Sequence, residues 1–355
     1  MADITKIDKN FAVGDVVNKE GLAFYDMEQE PFRIYGVKKE NGMFRRVPEE
    51  LAKNVNEGVQ VLHTNTAGGR VRFVTDSCRF AIHAEISQAG VYSHFPPTGS
   101  AGLDLYVKTE EEPEYYAFTF IPPHKVEEGF ESERVLTDGR KKRLITIHLP
   151  LYSSLTKLYI GLEEDAILEK APEYTYELPF VTYGSSITQG GCASRPGNCY
   201  QNILSRKLDA NHINLGFSGS ARAEDNIVAW MKKLEMSVFI LDYDHNAPTV
   251  EHLRTTHEKT FQAIRKEQPK LPIIIMNRPK YRLNEEEKER LEIIRTTYRN
   301  AKAAGDENVY LIENSALTAR ALTEGTVDNC HPNDLGFANM AEAVLPVLAE
   351  ILQKK

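Results

Sequence analysis

The chain contains few cysteines, and no sequence motif pairs them. Its 355 residues include only four, scattered along the chain without a Cys-x-x-Cys motif: Cys78, Cys192, Cys199 and Cys330. Scattered cysteines of this kind indicate reduced thiols, as is typical of a cytosolic protein. We therefore do not expect a fold that depends on disulfides.

A surplus of positive charge is also missing. Lysine and arginine total 43 against 51 aspartates and glutamates, which gives a formal net charge of −8. Nucleic-acid binding requires a concentrated basic surface. The densest basic run, residues 140–143, has acidic neighbours and is interpreted as a solvated face. The composition thus argues against a nucleic-acid partner.

Long hydrophobic runs are absent as well. No segment approaches the length needed to span a membrane, and residues 1–10 lack the apolar core of a signal peptide. We therefore expect a cytoplasmic location and no membrane partner. A mature chain from which a signal peptide had been removed would look the same.

The first half of the chain consists of short segments in which apolar and polar residues alternate. Alternation with a period of two, bounded by turn residues, is typical of half-buried strands. Strands are predicted at residues 32–35, 59–62, 70–74, 79–84, 103–107, 115–120, 144–148 and 158–162. Many short strands with little helical periodicity indicate an all-β, jelly-roll-like sandwich. We assign this accessory domain to residues 1–172.

One loop of this half is rich in aromatic, proline and glycine residues. It covers residues 90–100 and carries Tyr92, His94 and Phe95. Two interpretations are open, because the rings can either close the end of the sandwich or stack against a sugar ring. In the second case the loop lines the acceptor side of an active site, and these three residues bind substrate.

After a charged linker at residues 169–179, apolar strands alternate with helical patterns. The strands are predicted at 180–183, 213–216, 238–242, 273–276 and 309–312, and the helices at 198–209, 225–234, 250–267, 284–304 and 336–353. This alternation predicts a parallel sheet with helices on both faces, a three-layer α/β/α domain of residues 173–355. Ligands of such sheets bind beyond the carboxyl ends of the strands.

Residues of types that act in catalysis follow the predicted strands of this domain. The first strand ends at Gly184-Ser185-Ser186, and the segment after the last strand carries Asp328 and His331. A serine nucleophile needs a base within hydrogen-bond reach, and the base needs a third group to orient it. An Asp-x-x-His turn can supply both. Ser186 is therefore the candidate nucleophile, His331 the base and Asp328 the orienting acid.

An ester-cleaving serine also requires hydrogen-bond donors for the oxyanion of the tetrahedral intermediate. The backbone N–H of Ser186 is one candidate, because it lies at the start of a turn or helix. Gly219 follows the second strand and allows a close approach of the backbone. The side-chain amide of Asn246, after the third strand, is the third candidate.

These blocks together resemble the SGNH (GDSL-type) hydrolase superfamily. Residues 184–188 resemble its Gly-Asp-Ser block, residues 214–219 its Asn-x-Gly-x-Ser-Gly block, Asn246 its third-block asparagine, and Asp328 with His331 its Asp-x-x-His pair. The Gly-Leu-Asp-Leu-Tyr of residues 102–106 resembles the Gly-x-Asp-Leu-Tyr signature of a β module found ahead of some of these hydrolases. The resemblance implies a flavodoxin-like α/β/α fold and serine ester hydrolysis without a cofactor.

Two positions depart from the family pattern. Ser185 stands where the family has aspartate, and residues 242–246 read Asp-Tyr-Asp-His-Asn where Gly-x-Asn-Asp is usual. His245 or Asp244 is therefore a candidate for substrate binding. The acids and the histidine of this block could also bind a divalent metal, and Cys330 could be a rival nucleophile, but a role as a small buried filler is simpler. We predict no metal site.

We expect a serine esterase that removes small acyl groups, acetyl in the first place, from carbohydrate. The resemblance implies the ester chemistry, and the leading β module favours a sugar. The expected partner is a small-molecule or oligosaccharide ester. A lipid or thioester acylhydrolase and a catalytically inactive sugar-binding protein stay open as alternatives, and a metal-dependent phosphohydrolase is the most distant one.

Overall fold

The computed structural model describes residues 7–8 and 17–354 of the chain. Most of residues 1–10, on which the expected absence of a signal peptide rests, lies outside them. Two compact units divide the described part. The first holds the residues up to Phe44, Thr64–Pro172 and Arg195–Gly197, and the second holds Arg45–His63, Glu173–Ser194 and the residues from Asn198 onward.

The first unit is built from antiparallel sheets. Its strands are β1 (Leu22–Asp26), β2 (Arg33–Tyr35), β3 (Lys38–Glu40), β4 (Met43–Arg45), β5 (Arg70–Thr75), β6 (Arg79–Gln88), β7 (Leu103–Lys108), β8 (Tyr115–Phe120), β9 (Gly129–Val135), β10 (Arg143–His148), β11 (Ser154–Glu163) and β12 (Leu168–Lys170). One sheet has the order β1-β11-β6-β9 and the other β12-β5-β10-β7-β8, with β2 also on β5 and a separate β3-β4 pair. The predicted all-β sandwich is confirmed.

Alternating apolar side chains fill the core between these sheets. In the β5–β10 register, Ile145 pairs with Phe73 and Ile147 pairs with Val71, and all four side chains are fully buried. Ile82 of the other sheet belongs to the same apolar cluster. Because each such side chain stabilises the fold by about 1.5–3 kcal/mol when buried, the alternation visible in the sequence also holds the sheets together.

The segment before β5 departs from the predictions. Residues 59–62, predicted as a strand, end the α-helix Glu57–Leu62, so this strand prediction is wrong. Asn56 caps that helix, since its Oδ1 accepts the Val59 N–H at 2.9 Å. Val59 is the buried residue of the helix, so its side chain packs into the core from one face of a helix and not from one face of a strand. The whole segment Arg45–His63 lies in the second unit, whereas the predicted range 1–172 includes it.

A buried carboxylate organises one part of the first unit. Asp104 of β7 is fully buried, and its Oδ2 lies 3.1 Å from Arg195 Nη1 and accepts the Gly197 N–H at 2.8 Å. Arg195 also donates to the Tyr106 hydroxyl and stacks 3.8 Å from the centre of the Tyr116 ring. The Gly-x-Asp-Leu-Tyr signature therefore supplies a carboxylate and a phenol that hold this segment in place.

Replacing Asp104 with alanine is expected to lower the free energy of unfolding by about 3 kcal/mol, because a buried ion pair loses one partner. Thermal unfolding followed by circular dichroism measures the effect. Asp165 is the matched control, since its side chain is 78% exposed and pairs with Arg140 at the surface. Asp165→Ala should leave the midpoint unchanged. Equal shifts in the two variants would contradict the role given to Asp104.

The second unit contains a five-stranded sheet. Its strands are β13 (Tyr176–Gly184), β14 (Ala210–Gly216), β15 (Val238–Asp242), β16 (Ile273–Met276) and β17 (Val309–Ile312). The order is β14-β13-β15-β16-β17, and all neighbours are parallel. If β13 is counted as strand 1 and β17 as strand 5, this is the flavodoxin-like order 2-1-3-4-5. The predicted fold class is confirmed, and β15 is buried along its whole length, as a central parallel strand requires.

Helices cover both faces of this sheet. They are α1 (Glu49–Val55), α2 (Glu57–Leu62), α4 (Ser186–Gln189), α5 (Tyr200–Leu208), α6 (Asp225–Met231), α7 (Val250–Glu267), α8 (Glu285–Ala303), α9 (Asn314–Leu317) and α10 (Asp334–Gln353), whereas α3 (Pro97–Ser100) belongs to the first unit. Helices α5 and α10 pack together, and α6, α7 and α8 pack in a row. Right-handed crossovers in opposite directions from β13 place the two groups on opposite faces.

Helix α10 is long and apolar enough to cross a membrane by length and composition, contrary to the expectation that no segment approaches that length. However, 50% of its most apolar 18-residue segment is buried within the structure. Phe337, Met340, Val344 and Leu348 lie at helical spacing, and each is fully buried. The core helix of a globular domain meets the same criteria, and this one-sided burial is typical of such a helix.

The topology creates a switch point between β13 and β15. The chain leaves these neighbouring strands in opposite directions across the sheet, which opens a crevice at their carboxyl ends where α/β sheets bind ligands. Ser186 is the second residue after β13, and Asp242 is the last residue of β15. The fold therefore brings the residues singled out in the sequence to one edge of the sheet.

Candidate active site

Ser186 is the first residue of α4, a helix of four residues that follows β13. Ser185 caps this helix, because its side-chain oxygen accepts the Ile187 N–H at 3.2 Å. Gly190 ends it in the left-handed conformation, with φ of 103°. Ser185 is thus the N-cap of the helix, and the hydroxyl of Ser186 does not take part in the capping.

That hydroxyl meets the predicted base. Ser186 Oγ lies 2.9 Å from His331 Nε2, and His331 Nδ1 lies 2.7 Å from Asp328 Oδ2. In this geometry Nδ1–H donates to the carboxylate, which leaves Nε2 to accept the serine proton. The structure therefore places all three predicted catalytic residues in one hydrogen-bonded chain.

Asp328 also fixes the turn that carries the histidine. Its Oδ1 accepts the backbone N–H groups of Cys330 at 3.0 Å and of His331 at 2.7 Å. Asn329 between them has φ of 65°, a left-handed conformation that asparagine tolerates. Burial would raise the pKa of Asp328, but hydrogen bonds from His331 hold it below its ordinary value. The carboxylate is therefore ionised and suited to stabilise an imidazolium.

The loop after β14 presents the second oxyanion candidate. Gly219 has φ of 67°, where a glycine has no steric penalty. A Cβ at this position would meet nothing within 4 Å, so the backbone angle, rather than the close approach inferred from the sequence, requires glycine. Phe217 N–H donates to Gly184 O at 2.9 Å, and Ser218 N–H donates to Gln189 Oε1 at 3.1 Å. The loop is thus tied to both ends of the nucleophile turn.

Asn246 lies beside the same loop. It ends a single turn of 3-10 helix, Asp244–Asn246, which follows β15. Its Nδ2 donates to the Phe217 carbonyl at 2.7 Å, and the side chain is buried. A primary amide has two N–H donors, so one is still available for an oxyanion.

Asp242 anchors the nucleophile turn from the neighbouring strand. Its Oδ2 accepts hydrogen bonds from the Thr188 hydroxyl at 2.9 Å and from the Tyr200 hydroxyl at 3.2 Å. Gln201 and Asn214 each donate to the Thr188 carbonyl at 2.7 Å. Burial raises the pKa of Asp242 to about 7, because two hydroxyl donors do not replace the lost water.

Asp244 forms a buried ion pair with an arginine. Its Oδ2 lies 2.9 Å from Arg278 Nε, and its Oδ1 lies 3.0 Å from Arg278 Nη2. Burial would raise the pKa of Asp244, but the hydrogen bonds and charge of Arg278 keep it below its ordinary value. A divalent metal at this strand end, or a substrate on Asp244, would have to displace Arg278.

His245 and Cys330 lie together beside the catalytic turn. His245 Nδ1 is 3.9 Å from Cys330 Sγ, while its Nε2 is shielded from solvent and has no hydrogen-bond partner among the described residues. Burial, together with the charge of Arg278, lowers the pKa of His245 to about 3, so its ring is neutral. Burial raises the pKa of the Cys330 thiol, which makes it a poor nucleophile.

The aromatic loop of residues 90–100 belongs to the first unit. The Tyr92 and Phe95 rings lie nearly parallel with centroids 6.2 Å apart, and both meet Tyr152 edge-on, at 5.5 and 5.1 Å. Phe95 is 5% exposed and closes the loop, whereas Tyr92 is 42% exposed and His94 is also exposed. Tyr92 and His94 are therefore the members of the predicted sugar-binding set that face solvent.

Comparison with protein families assigns both halves of the chain. The sequence profile of the GDSL-like lipase/acylhydrolase family matches residues 177–349. A second profile, GxDLY, described as the N-terminus of SGNH-hydrolase-type esterases, matches residues 22–168. A search among curated proteins gave no match.

Solved structures are similar to this chain over nearly its whole length. A protein described as a GDSL-like lipase from Bacteroides ovatus is 28% identical, with a TM-score of 0.83 over 94% of this chain and 98% of that one. A salicylyl-acyltransferase from a tetracycline biosynthetic pathway is 19% identical, with a TM-score of 0.74 and the same coverage, 94% and 98%. A family two carbohydrate esterase from Cellvibrio japonicus is 12% identical, with a TM-score of 0.60 over 94% and 98%. The last two show a shared fold.

Asp242→Asn should change how stability depends on pH. The folded-state pKa of about 7 lies above the ordinary value of 3.8, so between these pH values the carboxyl ionises in the unfolded state but stays protonated in the folded state. Rising pH therefore favours the unfolded state across that interval. The free energy of unfolding of the wild type should therefore fall relative to the variant, by at most about 1.4 kcal/mol per pH unit. Urea unfolding at several pH values measures this, and a constant difference between the two proteins would contradict it.

Proposed function

Because the chain belongs to the SGNH (GDSL-type) hydrolase superfamily, with a GDSL-like domain behind a GxDLY module, we propose that it is a serine esterase that deacylates carbohydrates. The acyl group is small, acetyl in the first place. The observation that carries the proposal is the hydrogen-bonded chain from Asp328 through His331 to Ser186. A hydroxyl paired in this way is the requirement for nucleophilic attack on an ester.

In the first half-reaction, Ser186 Oγ attacks the ester carbonyl and transfers its proton to His331 Nε2. Asp328, bonded to the opposite ring nitrogen, stabilises the imidazolium that forms. The intermediate collapses when the bond from the carbonyl carbon to the sugar oxygen breaks. His331 returns the proton to that oxygen, so the sugar leaves as an alcohol and the acyl group stays on Ser186.

In the second half-reaction, water attacks the acyl group on Ser186. His331 accepts a proton from the water and then gives it to Ser186 Oγ, which restores the free enzyme and releases the carboxylic acid. Both tetrahedral intermediates carry an oxyanion. The N–H groups of Ser186 and Gly219 and the second amide hydrogen of Asn246 stabilise it, and each such donor contributes a rate factor of about 10²–10³.

Two observations support a sugar as the alcohol part of the substrate. The GxDLY module and the fold shared with a carbohydrate esterase favour this class. Tyr92 offers an exposed ring face on a fixed loop, as sugar stacking requires.

Ser186→Ala and His331→Ala are each expected to lower the kcat for 4-nitrophenyl acetate by at least about 10³-fold, because either change removes the activated nucleophile. Steady-state kinetics on folded variants measure the loss. Cys330→Ala is the matched control, since it removes a neighbouring thiol that has no place in the reaction. Near-wild-type turnover in Ser186→Ala, or a comparable loss in Cys330→Ala, would contradict the assignment.

Mass spectrometry of acetylated xylan-derived and mannan-derived oligosaccharides tests the substrate class. We expect the wild type to remove acetyl groups and Ser186→Ala to leave them in place. Nitrophenyl esters of increasing acyl length separate the main alternative, because a lipid or thioester acylhydrolase would prefer long chains. Binding of the oligosaccharides without any Ser186-dependent turnover would instead indicate an inactive sugar-binding protein.

Tyr92→Ala is expected to raise the KM for an acetylated oligosaccharide about fivefold while kcat and the KM for 4-nitrophenyl acetate stay the same. One ring stacked on a sugar contributes on the order of 1 kcal/mol, and the small ester has no sugar to stack. Val91→Ala is the control, since it truncates the exposed neighbour of Tyr92. An unchanged KM for the oligosaccharide in Tyr92→Ala would show that the loop only closes the sandwich.

A further inference from the structure

We propose that Arg46 is a positioning residue for the oxyanion-binding loop, residues 216–219. The inference rests on the proposed function, because it gives Arg46 a role in stabilising the oxyanion through this loop. Arg46 stands far before the catalytic blocks in the sequence, yet it lies in the same compact unit as Ser186. Nothing in its surrounding sequence resembles a hydrolase motif.

The contacts of Arg46 converge on the carboxyl end of β14. The residue is 5% exposed, and its Nη1 donates to the carbonyl of Gly216, the last residue of that strand, and to Asn214 O at 3.3 Å. Its guanidinium lies over the Phe217 ring, 4.6 Å from the ring centre. Nη2 donates to Leu62 O at 2.7 Å, so the last residue of helix α2, which follows Arg46 in the chain, binds the other nitrogen of the guanidinium.

Arg46 holds one side of the loop, and residues around the nucleophile turn hold the other. Phe217 N–H donates to Gly184 O, and Phe217 O accepts from Asn246, an oxyanion candidate itself. Gly219 and its N–H follow two residues later. Hydrogen bonds from a charged guanidinium are about twice as strong as neutral ones, and its planar fork can bond carbonyls while stacking on an aromatic face. Lysine or methionine cannot do both.

The consequence concerns rate more than substrate affinity. The Gly219 N–H acts on charge that exists only in the tetrahedral intermediate, so a displaced loop lowers kcat and leaves ground-state binding nearly intact. A misplacement of about 1 Å in a catalytic group can cost on the order of 10² in rate. Arg46 touches neither substrate nor Ser186 in this account, and it acts through the backbone of residues 216–219.

Arg265 provides a matched control for a merely structural role. It lies in the same unit, is largely buried, and donates to the Leu271 and Asn308 carbonyls. These carbonyls precede β16 and β17, at the amino ends of the strands and thus at the edge opposite Ser186. Arg265→Met and Arg46→Met therefore both remove hydrogen bonds from a guanidinium to carbonyls, at opposite ends of one sheet, and Arg265→Met also removes an ion pair with Asp306.

The test compares Arg46→Met, Arg46→Lys and Arg265→Met with 4-nitrophenyl acetate. We expect Arg46→Met to lower kcat about 30- to 100-fold with KM changed less than about threefold, as for a displaced catalytic donor. Arg46→Lys, which keeps the charge but loses the fork, should recover part of the loss. Affinity for an alkylboronic acid, which forms a tetrahedral adduct on serine, should fall in parallel with kcat. Arg265→Met should lower the thermal midpoint and keep kcat.

Each other outcome has a definite meaning. The inference is overturned if folded Arg46→Met keeps wild-type kcat, or if Arg265→Met loses as much kcat at an equal loss of thermal stability. If Arg46→Met does not fold, Arg46→Lys decides, and an unchanged kcat and boronate affinity in that variant overturn the inference. A wild type without Ser186-dependent turnover would instead refute the proposed function itself, which the Ser186→Ala control identifies separately.

Discussion

The hydrogen bond between Ser186 Oγ and His331 Nε2 is the interaction on which the candidate site depends. It spans 2.9 Å between residues that lie 145 positions apart in the chain. The parallel sheet makes this contact possible, because the carboxyl ends of all its strands face the same edge. Ser186 comes from the turn after β13, and His331 from a turn held by the carboxylate of Asp328. The strand order therefore determines which side chains can react together.

The nucleophile turn is held mainly by polar groups of neighbouring elements. Thr188 sits at its centre, with its hydroxyl on Asp242 and its carbonyl between two side-chain amides. A Cβ on Gly184 would lie only 2.1 Å from the Thr188 hydroxyl, so the turn packs directly against the strand end. Ser185 caps α4 where the family has aspartate, and the buried acid of this region stands on β15 instead. Such a connected network keeps a short helix in one position although the helix contributes little stability of its own.

Much of this arrangement could be predicted from the sequence. Buried parallel strands are continuous apolar runs, and the predictions for β15, β16 and β17 match the structure to the residue. Ser186, Asp328 and His331 stood out because each follows a strand of the same sheet. The helix at 57–62 was missed because a Val-x-Val spacing is compatible with a strand when the capping role of Asn56 is overlooked. β9 was missed because Gly129–Val135 is largely polar, and only pairing with β6 makes it a strand.

The remaining features depend on contacts between distant residues, which local patterns do not report. The raised pKa of Asp242 follows from its burial, and the position of Arg46 under the oxyanion-binding loop follows from its packing in the second unit. The central claim, however, concerns Ser186 as the residue that accepts the acyl group. Peptide mapping by mass spectrometry, after acid quenching during turnover of an acetyl ester, tests it most directly. The account predicts one acetyl group on the peptide at Ser186, and an acetyl group on Ser185 or Cys330 instead would contradict it.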